Sequence, residues 1–366
     1  MFLSEHYNPN KIFHPGVTLQ ETLDSFEMSQ IDLALRTGLT PKTINEIIQE
    51  KNPITPETAI KFASVFGTSA NFWNNLQRNY EADLIRLEEN KKLSDETIHL
   101  NRFSICYTEL IKIGCVKNTR DKKEKVKSLL NFFSVSSLSL VPNIQVAAFR
   151  QSKHENVNKE SLAAWLRCGE LVAQKIETLG FDRALLQSSI PKLRSLTREE
   201  DSKKLNIELE KICTGFGVAL VVVPYFKNTH VNGAAWWVNQ DKPIIQLSFK
   251  GHCIDSFWFT FFHEVGHLLK HGKKEQFIDY KKSGNDHGLE LENEADKFAN
   301  DTLIPQGQYD DFIGKKDFRP SSIDRFATEV GVSPSIVAGR ICYTYRKSKK
   351  IWKILSPLRK RYVISV

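Results

Sequence analysis

Two histidines four residues apart, His263 and His267, stand inside an otherwise apolar run, with Phe257-Trp258-Phe259-Thr260-Phe261-Phe262 before them and Leu268-Leu269 after. A run so rich in aromatics predicts a helix buried on most of its surface. On such a helix, residues four apart lie about 40° apart around the axis, so both imidazoles reach one point and Glu264 projects beside them. Polar side chains in such a place need partners. The stretch His263-Glu264-Val265-Gly266-His267 therefore predicts a metal site. Neutral imidazoles suit Zn²⁺, three protein ligands leave a position open for water, and a neighbouring carboxylate can take that water's proton as it attacks a carbonyl. Two core histidines bonded to backbone carbonyls are the bland reading, but that leaves three polar groups in an apolar helix without a use.

A third ligand is expected from a second helix. Leu291, Ala295, Phe298, Ala299 and Leu303 recur at three-to-four spacing and mark a buried stripe, which Ile304-Pro305 ends. Glu294 borders that stripe and is the expected ligand, with Glu290 a turn earlier as second choice. Glu292 and Asp296 are expected to face solvent or to support the ligands from outside.

The first eighty or so residues have different chemistry. An amphipathic run from Val17 to Phe26 is followed by a short helix from a Ser29 cap, a break at Gly38, and a helix capped by Thr40 with Pro41 at its first position. Thr55-Pro56-Glu57-Thr58 opens a fourth helix and Ser69 a fifth. Helix, glycine turn and second capped helix form the helix-turn-helix pattern, although helix hairpins also occur as plain packing.

At 366 residues and 41% hydrophobic, the chain can fill two or three domains. A net charge of +8 permits nucleic-acid contact. The expected boundaries are a DNA-binding domain over 1–90, with Lys91 to Glu96 as a linker, and a helical middle over 91–210. A third domain spans 211–345, and a basic tail 346–366. Short β-rich runs at Val218–Val223, Ala234–Val238 and Pro243–Leu247 precede the His263 helix. The fold class is thus multidomain: five helices around a helix-turn-helix, then an α+β domain with a helical insert. No acidic residue follows Glu329, and the basic end reads as a solvated tail in preference to an accessory DNA or substrate contact. Phe326 to Arg340 repeats the helix, glycine turn, capped helix pattern and reads as scaffold before a second DNA reader. Six scattered cysteines without a CxxC suit a reducing cytoplasm, and neither a signal peptide nor an apolar run of the ~18 residues a membrane span needs is present.

HEVGHLLKH followed by ENEADKFANDTLIP resembles the ImmA/IrrE family of zinc metallopeptidases. The resemblance implies a zincin-like domain with His263, His267 and Glu294 as zinc ligands and Glu264 as catalytic base. His271 fits the family's Leu-Leu-x-His extension, as a catalytic residue that orients substrate or stabilises an oxyanion, or as a cap. HPG, SQIDLALRTGLTPKTINEII and ITPETAIKFASVFGTSANFWNNLQ resemble the HigA-type antitoxin branch of the XRE helix-turn-helix family. That implies a homodimer on operator duplex DNA, Gln30 holding a phosphate and Thr40, Lys42, Thr43 and Asn45 facing the major groove, while Ile44, Ile47 and Ile48 face inward. Together they imply a cytoplasmic zinc endopeptidase tethered to a DNA reader. Its substrate would be a repressor or antitoxin, in trans or its own chain at Lys91 to Glu96. The alternative is a non-enzymatic antitoxin and autorepressor with a toxin partner and a sensory or structural zinc domain. A structural zinc site normally has four protein ligands, and three stand out here, which favours the enzyme.

Overall fold

The computed structural model describes residues 12–141, 157–248, 253–271 and 286–362, with the backbone alone for 286–289. The chain divides into two compact units, Met1–Ile98 and His99–Val366.

Cap chemistry builds the first unit. Helix α1 (Pro15–Ser25) starts at His14, whose Nδ1 accepts from Gly16 N at 3.0 Å. Ser29 and Asp32 form a reciprocal capping box on α2 (Gln30–Thr37), which stops at Gly38 in the left-handed region at φ 67°. Thr40 caps α3 (Pro41–Ile48), Thr55 caps α4 (Pro56–Phe66) and Ser69 caps α5 (Ala70–Glu96). Leu19, Leu33, Ile44, Ala59, Phe62 and Trp73 form a fully buried core. Helix α5 runs unbroken through Lys91–Glu96, so the expected linker is helical and the first unit ends at Ile98.

Gly16 explains the HPG triplet. A Cβ there would lie 2.1 Å from the Ile47 carbonyl oxygen, so α1 meets the last turn of α3 backbone to backbone. Gly16→Ala is expected to destabilise this unit by about 1–3 kcal/mol, read as a lower denaturation midpoint with unchanged m-value.

In the second unit α6 (Leu100–Lys112) and α7 (Lys122–Phe133) pack with α8 (Lys159–Ala173), and Arg102 pairs with buried Glu160 at 2.6 Å between α6 and α8. Next come α9 (Arg183–Ser195) and α10 (Ser202–Gly215), then strands β1 (Ala219–Val223), β2 (Gly233–Trp237) and β3 (Pro243–Ser248). Sheet order is β1-β3-β2, with β3 parallel to β1 and antiparallel to β2. Every residue of β3 but Ser248 is buried, since both faces are covered. On one face Gln246 donates to Trp165 O of α8 at 2.7 Å, while Ile245 and Leu247 turn to the opposite face and join the main core.

That opposite face carries α11 (Ile254–Lys270), packed along α12 (Asp286–Leu303) and followed by α13 (Gln306–Gly314), α14 (Pro320–Val330), α15 (Pro334–Thr344) and α16 (Lys349–Leu355). Three arginines hold the helix ends: Arg183 donates to Leu269 O of α11, Arg194 to Leu303 O of α12 and Val330 O of α14, and Arg340 to Asn300 O and Ile304 O. Helix α15 buries Ile336, Val337, Ala338, Ile341 and Cys342 and packs on α11, which fits the scaffold reading of the Phe326 to Arg340 pair. The basic end belongs to the fold too. Arg359 pairs with Asp255 at 2.7 Å, Tyr362 accepts from Trp258 Nε1 at 2.8 Å, and Cys253 bridges to Arg361. Read as a solvated tail, this segment is corrected by those contacts. Among the described residues no helix is long and apolar enough to cross a membrane.

Candidate metal centre

Helix α11 buries Phe257, Trp258, Phe261, Phe262, Val265, Leu268 and Leu269, which leaves His263 and His267 on the side turned to α12. Gly266 makes the close approach: a Cβ there would stand 3.2 Å from Ala295 Cα and 3.1 Å from the Phe298 ring. With Ala295 seated on Gly266, the carboxylates at Glu292 and Asp296 fall on either side of it, facing the histidines.

The two Nε2 atoms face each other at 3.0 Å. Glu292 spans both, its Oε2 3.3 Å from His263 Nε2 and its Oε1 3.5 Å from His267 Nε2. His263 Nδ1 donates to Asp296 Oδ1 at 2.8 Å, which turns Nε2 into the cluster. His263, His267 and Glu292 each bring one ligand atom within 4.8 Å of the others. Glu294, the expected ligand, is exposed and outside this group; Glu290 is exposed as well. Glu292 is therefore the carboxylate that the fold brings to the histidines, and Asp296 bonds His263 on the far side of its ring.

Charge makes the cluster receptive to a cation. Burial by itself lowers the His263 pKa, but the hydrogen bonds to Asp296 and Glu292, with the charges of Glu264 and Glu292, outweigh it and raise it to about 10. Three carboxylates thus surround a ring that they keep protonated, and a divalent cation can take that proton's place. Two nitrogens and an oxygen converging, with an imidazole oriented from behind, fit a tetrahedral ion with an open position.

Glu264 is 5% exposed, and its pKa is raised to about 8 by burial and by Glu292 against the pull of His263. Its carboxylate lies against the sheet edge: a Cβ on Gly233 would be 2.8 Å from Glu264 Oε1 and 2.4 Å from Thr260 Cγ2. Gly233 begins β2, one of the two outer strands of the sheet among the described residues. His271 is buried at the end of α11, its ring 5.2 Å from that of His267, beside the ligand group and not in it.

In the first unit, Lys42 and Asn45 are exposed on α3 while Ile44 and Ile47 are buried beneath them and Ile48 is half-buried. Thr40 is exposed but its hydroxyl is engaged, accepting from Thr43 N at 3.1 Å and bonded to Thr43 Oγ1 at 2.8 Å. Gln30 is half-buried at the start of α2.

The two units match two different family models. Residues 19–73 match the helix-turn-helix family model, and residues 213–341 match that of the IrrE N-terminal-like domain. The chain belongs to the helix-turn-helix family of regulators, with an IrrE-like domain in its second unit. YddM of Escherichia coli K12, an HTH-type transcriptional regulator, is 38% identical over 63 residues, which is 17% of this chain and 67% of its own. Virulence-associated protein I of Dichelobacter nodosus is 36% identical over 86 residues, 23% of this chain and 78% of its own. Among solved structures, Pseudomonas aeruginosa antitoxin HigA with its higBA promoter is 34% identical, covering 22% of this chain and 89% of its own, with a TM-score of 0.22.

Proposed function

We propose that the chain is a DNA-bound zinc endopeptidase that cuts a repressor- or antitoxin-type protein. One observation carries this reading: His263, His267 and Glu292 converge beside the buried Glu264 carboxylate, which lies against Gly233 at the start of an outer strand of the described sheet. His263, His267 and Glu292 would hold the ion. When bound, Zn²⁺ polarises a peptide carbonyl and acidifies water beside it. Glu264 takes the proton of the attacking water on its carboxylate and passes it to the leaving nitrogen, with burial raising its basicity for that task. The edge of β2 pairs with an extended substrate and sets its backbone beside Glu264, a strand-addition mode. Lys91–Glu96 is helical, so self-cleavage there would first require that turn of α5 to unwind.

The purified full-length chain is expected to bind about one zinc, measured by elemental mass spectrometry. Asp296→Asn is expected to weaken zinc affinity by ~10–100-fold through loss of the charge that orients His263, measured by chelator competition. Unchanged affinity would remove Asp296 from the site.

DNA reading rests on the helix-turn-helix match and on the exposed face of α3. Lys42 and Asn45 would contact base edges, while Thr40 and Thr43 shape the start of the helix. The double substitution Lys42→Ala with Asn45→Ala is expected to cost ~1–3 kcal/mol per lost base contact at the promoter of the protein's own locus and to leave salt-sensitive non-specific binding in place. Equal binding of variant and parent at physiological salt in a gel-shift titration would sink the assignment.

A further inference from the structure

Eight basic residues and no acidic one lie between Arg346 and Arg361. With those eight set aside the chain has 43 basic and 43 acidic residues, so its whole net charge of +8 sits in this one stretch. Arg359 and Lys360 are engaged within the fold, by Asp255 and Glu200. Arg346, Lys347, Lys349, Lys350 and Lys353 are all exposed, and among the described residues no acidic side chain pairs with them.

The stretch is held from beneath. The Tyr309 and Thr344 hydroxyls bond at 2.6 Å at the end of α15, the Phe318 and Tyr345 rings meet at 5.4 Å, and Ser348 N donates to Tyr345 O at 2.8 Å in the turn that leads to α16. Helix α16 buries Leu355 and half-buries Ile351. At 3.6 residues per turn, Lys349, Lys350 and Lys353 then share the outer arc with Trp352, and Lys349 and Lys353, four apart, repel each other. Arg346 and Lys347 border an open hollow of about 500 Å³ in the turn before it. Tyr343 and Trp352 are exposed beside these charges, with the guanidinium of Arg346 over one ring at 5.3 Å and that of Arg359 over the other at 5.1 Å.

We propose that this face of α16 and the turn before it is a sequence-independent binding surface for duplex DNA, with Lys347, Lys349, Lys350 and Lys353 on phosphates. The proposal rests on the reading of the chain as a DNA-bound regulator and adds contacts outside the helix-turn-helix. Charge complementarity selects the partner: cations crowded along one face without carboxylates to balance them match a polymer that carries one negative charge per ~1.7 Å, and the counterions they displace drive binding. Both exposed rings already have a guanidinium over them, so the surface offers charge before the bare stacking platform that a single strand needs. Flexible lysines on phosphates carry no base readout, so the surface strengthens operator and unrelated duplex alike.

The test is fluorescence anisotropy of the full-length chain on a duplex of unrelated sequence, titrated across salt. Changing Lys347, Lys349, Lys350 and Lys353 together to Gln should make the slope of log affinity against log salt shallower by about 3–4, close to 0.9 per lost phosphate contact, and weaken binding by at least about tenfold. Changing all four to Arg should restore the parent slope. A control with Lys122, Lys123, Lys203 and Lys211 changed to Gln, exposed lysines elsewhere in the second unit, removes the same charge and should keep that slope. The ratio of affinities for the protein's own promoter and the unrelated duplex should stay unchanged in the Gln variant; a parent without any such preference would sink the operator reading and leave the slope test standing. An unchanged slope in the Gln variant would overturn the proposal, and so would an equal change in the control. Loss of binding confined to a single strand, or to vesicles containing phosphatidylserine, would overturn it as well.

Discussion

Glu292→Ala is expected to lower zinc affinity by more than about 100-fold, while Glu294→Ala leaves it within about twofold of the parent. Outer partners of a metal site cost ~10–100-fold when removed, and a residue whose two oxygens lie 3.3 and 3.5 Å from the two Nε2 atoms belongs inside that shell. Glu294 faces solvent. Losing one of three ligands also leaves His263 with one fewer carboxylate to balance a dication. Because the carboxylates raise the His263 pKa to about 10 without a cation, zinc must displace a proton there, so affinity should rise with pH toward that value and weaken as pH falls. Chelator competition across pH measures both effects. Equal losses from the two substitutions would reassign the third ligand.

Glu264→Gln is expected to keep the metal and lose at least ~100-fold in peptide cleavage. The carboxylate is not among the ligand atoms, so its amide leaves the ligand set whole, and general-base catalysis of this kind contributes ~10²–10⁴-fold. The pH profile carries the same signature. Glu264 works only when ionised, and burial raises its pKa to about 8 in the absence of a cation. A bound dication favours the charged form and brings that value down. Cleavage should therefore climb with pH to a plateau reached below about 8, and the climb should vanish in the Gln variant. A variant that cuts as fast as the parent would strip Glu264 of its role.

The helix-turn-helix was legible because its signals are local. Ser29, Gly38, Thr40 with Pro41, Thr55 and Ser69 each state a helix end in one or two residues, and each sits where the structure puts that end. The three strands and the His263 helix were readable from runs of apolar residues for the same reason. Rotation of α12 was not. Its stripe of Leu291, Ala295 and Ala299 fixes the buried side only to within a broad arc, and Glu292 and Glu294, about 200° apart on a helix, flank that arc from opposite sides. What decides between them is the seating of Ala295 on Gly266, a contact between distant segments. The spacing held a clue: Glu292 and Asp296 repeat the four-residue step of His263 and His267, so two helices in contact could present all four groups at one level. Lys91–Glu96 misled through its charge, which suits an exposed helix as well as a linker.

Profiling of newly formed protein N-termini tests the central claim most directly. It compares cells carrying the parent chain with cells carrying Glu264→Gln at matched abundance, with and without DNA damage. The account predicts new N-termini inside a repressor- or antitoxin-type protein in the parent cells and their absence with the variant. Identical sets of N-termini in both, in every condition, would contradict it and leave the Glu264 site without a peptide substrate in the cell.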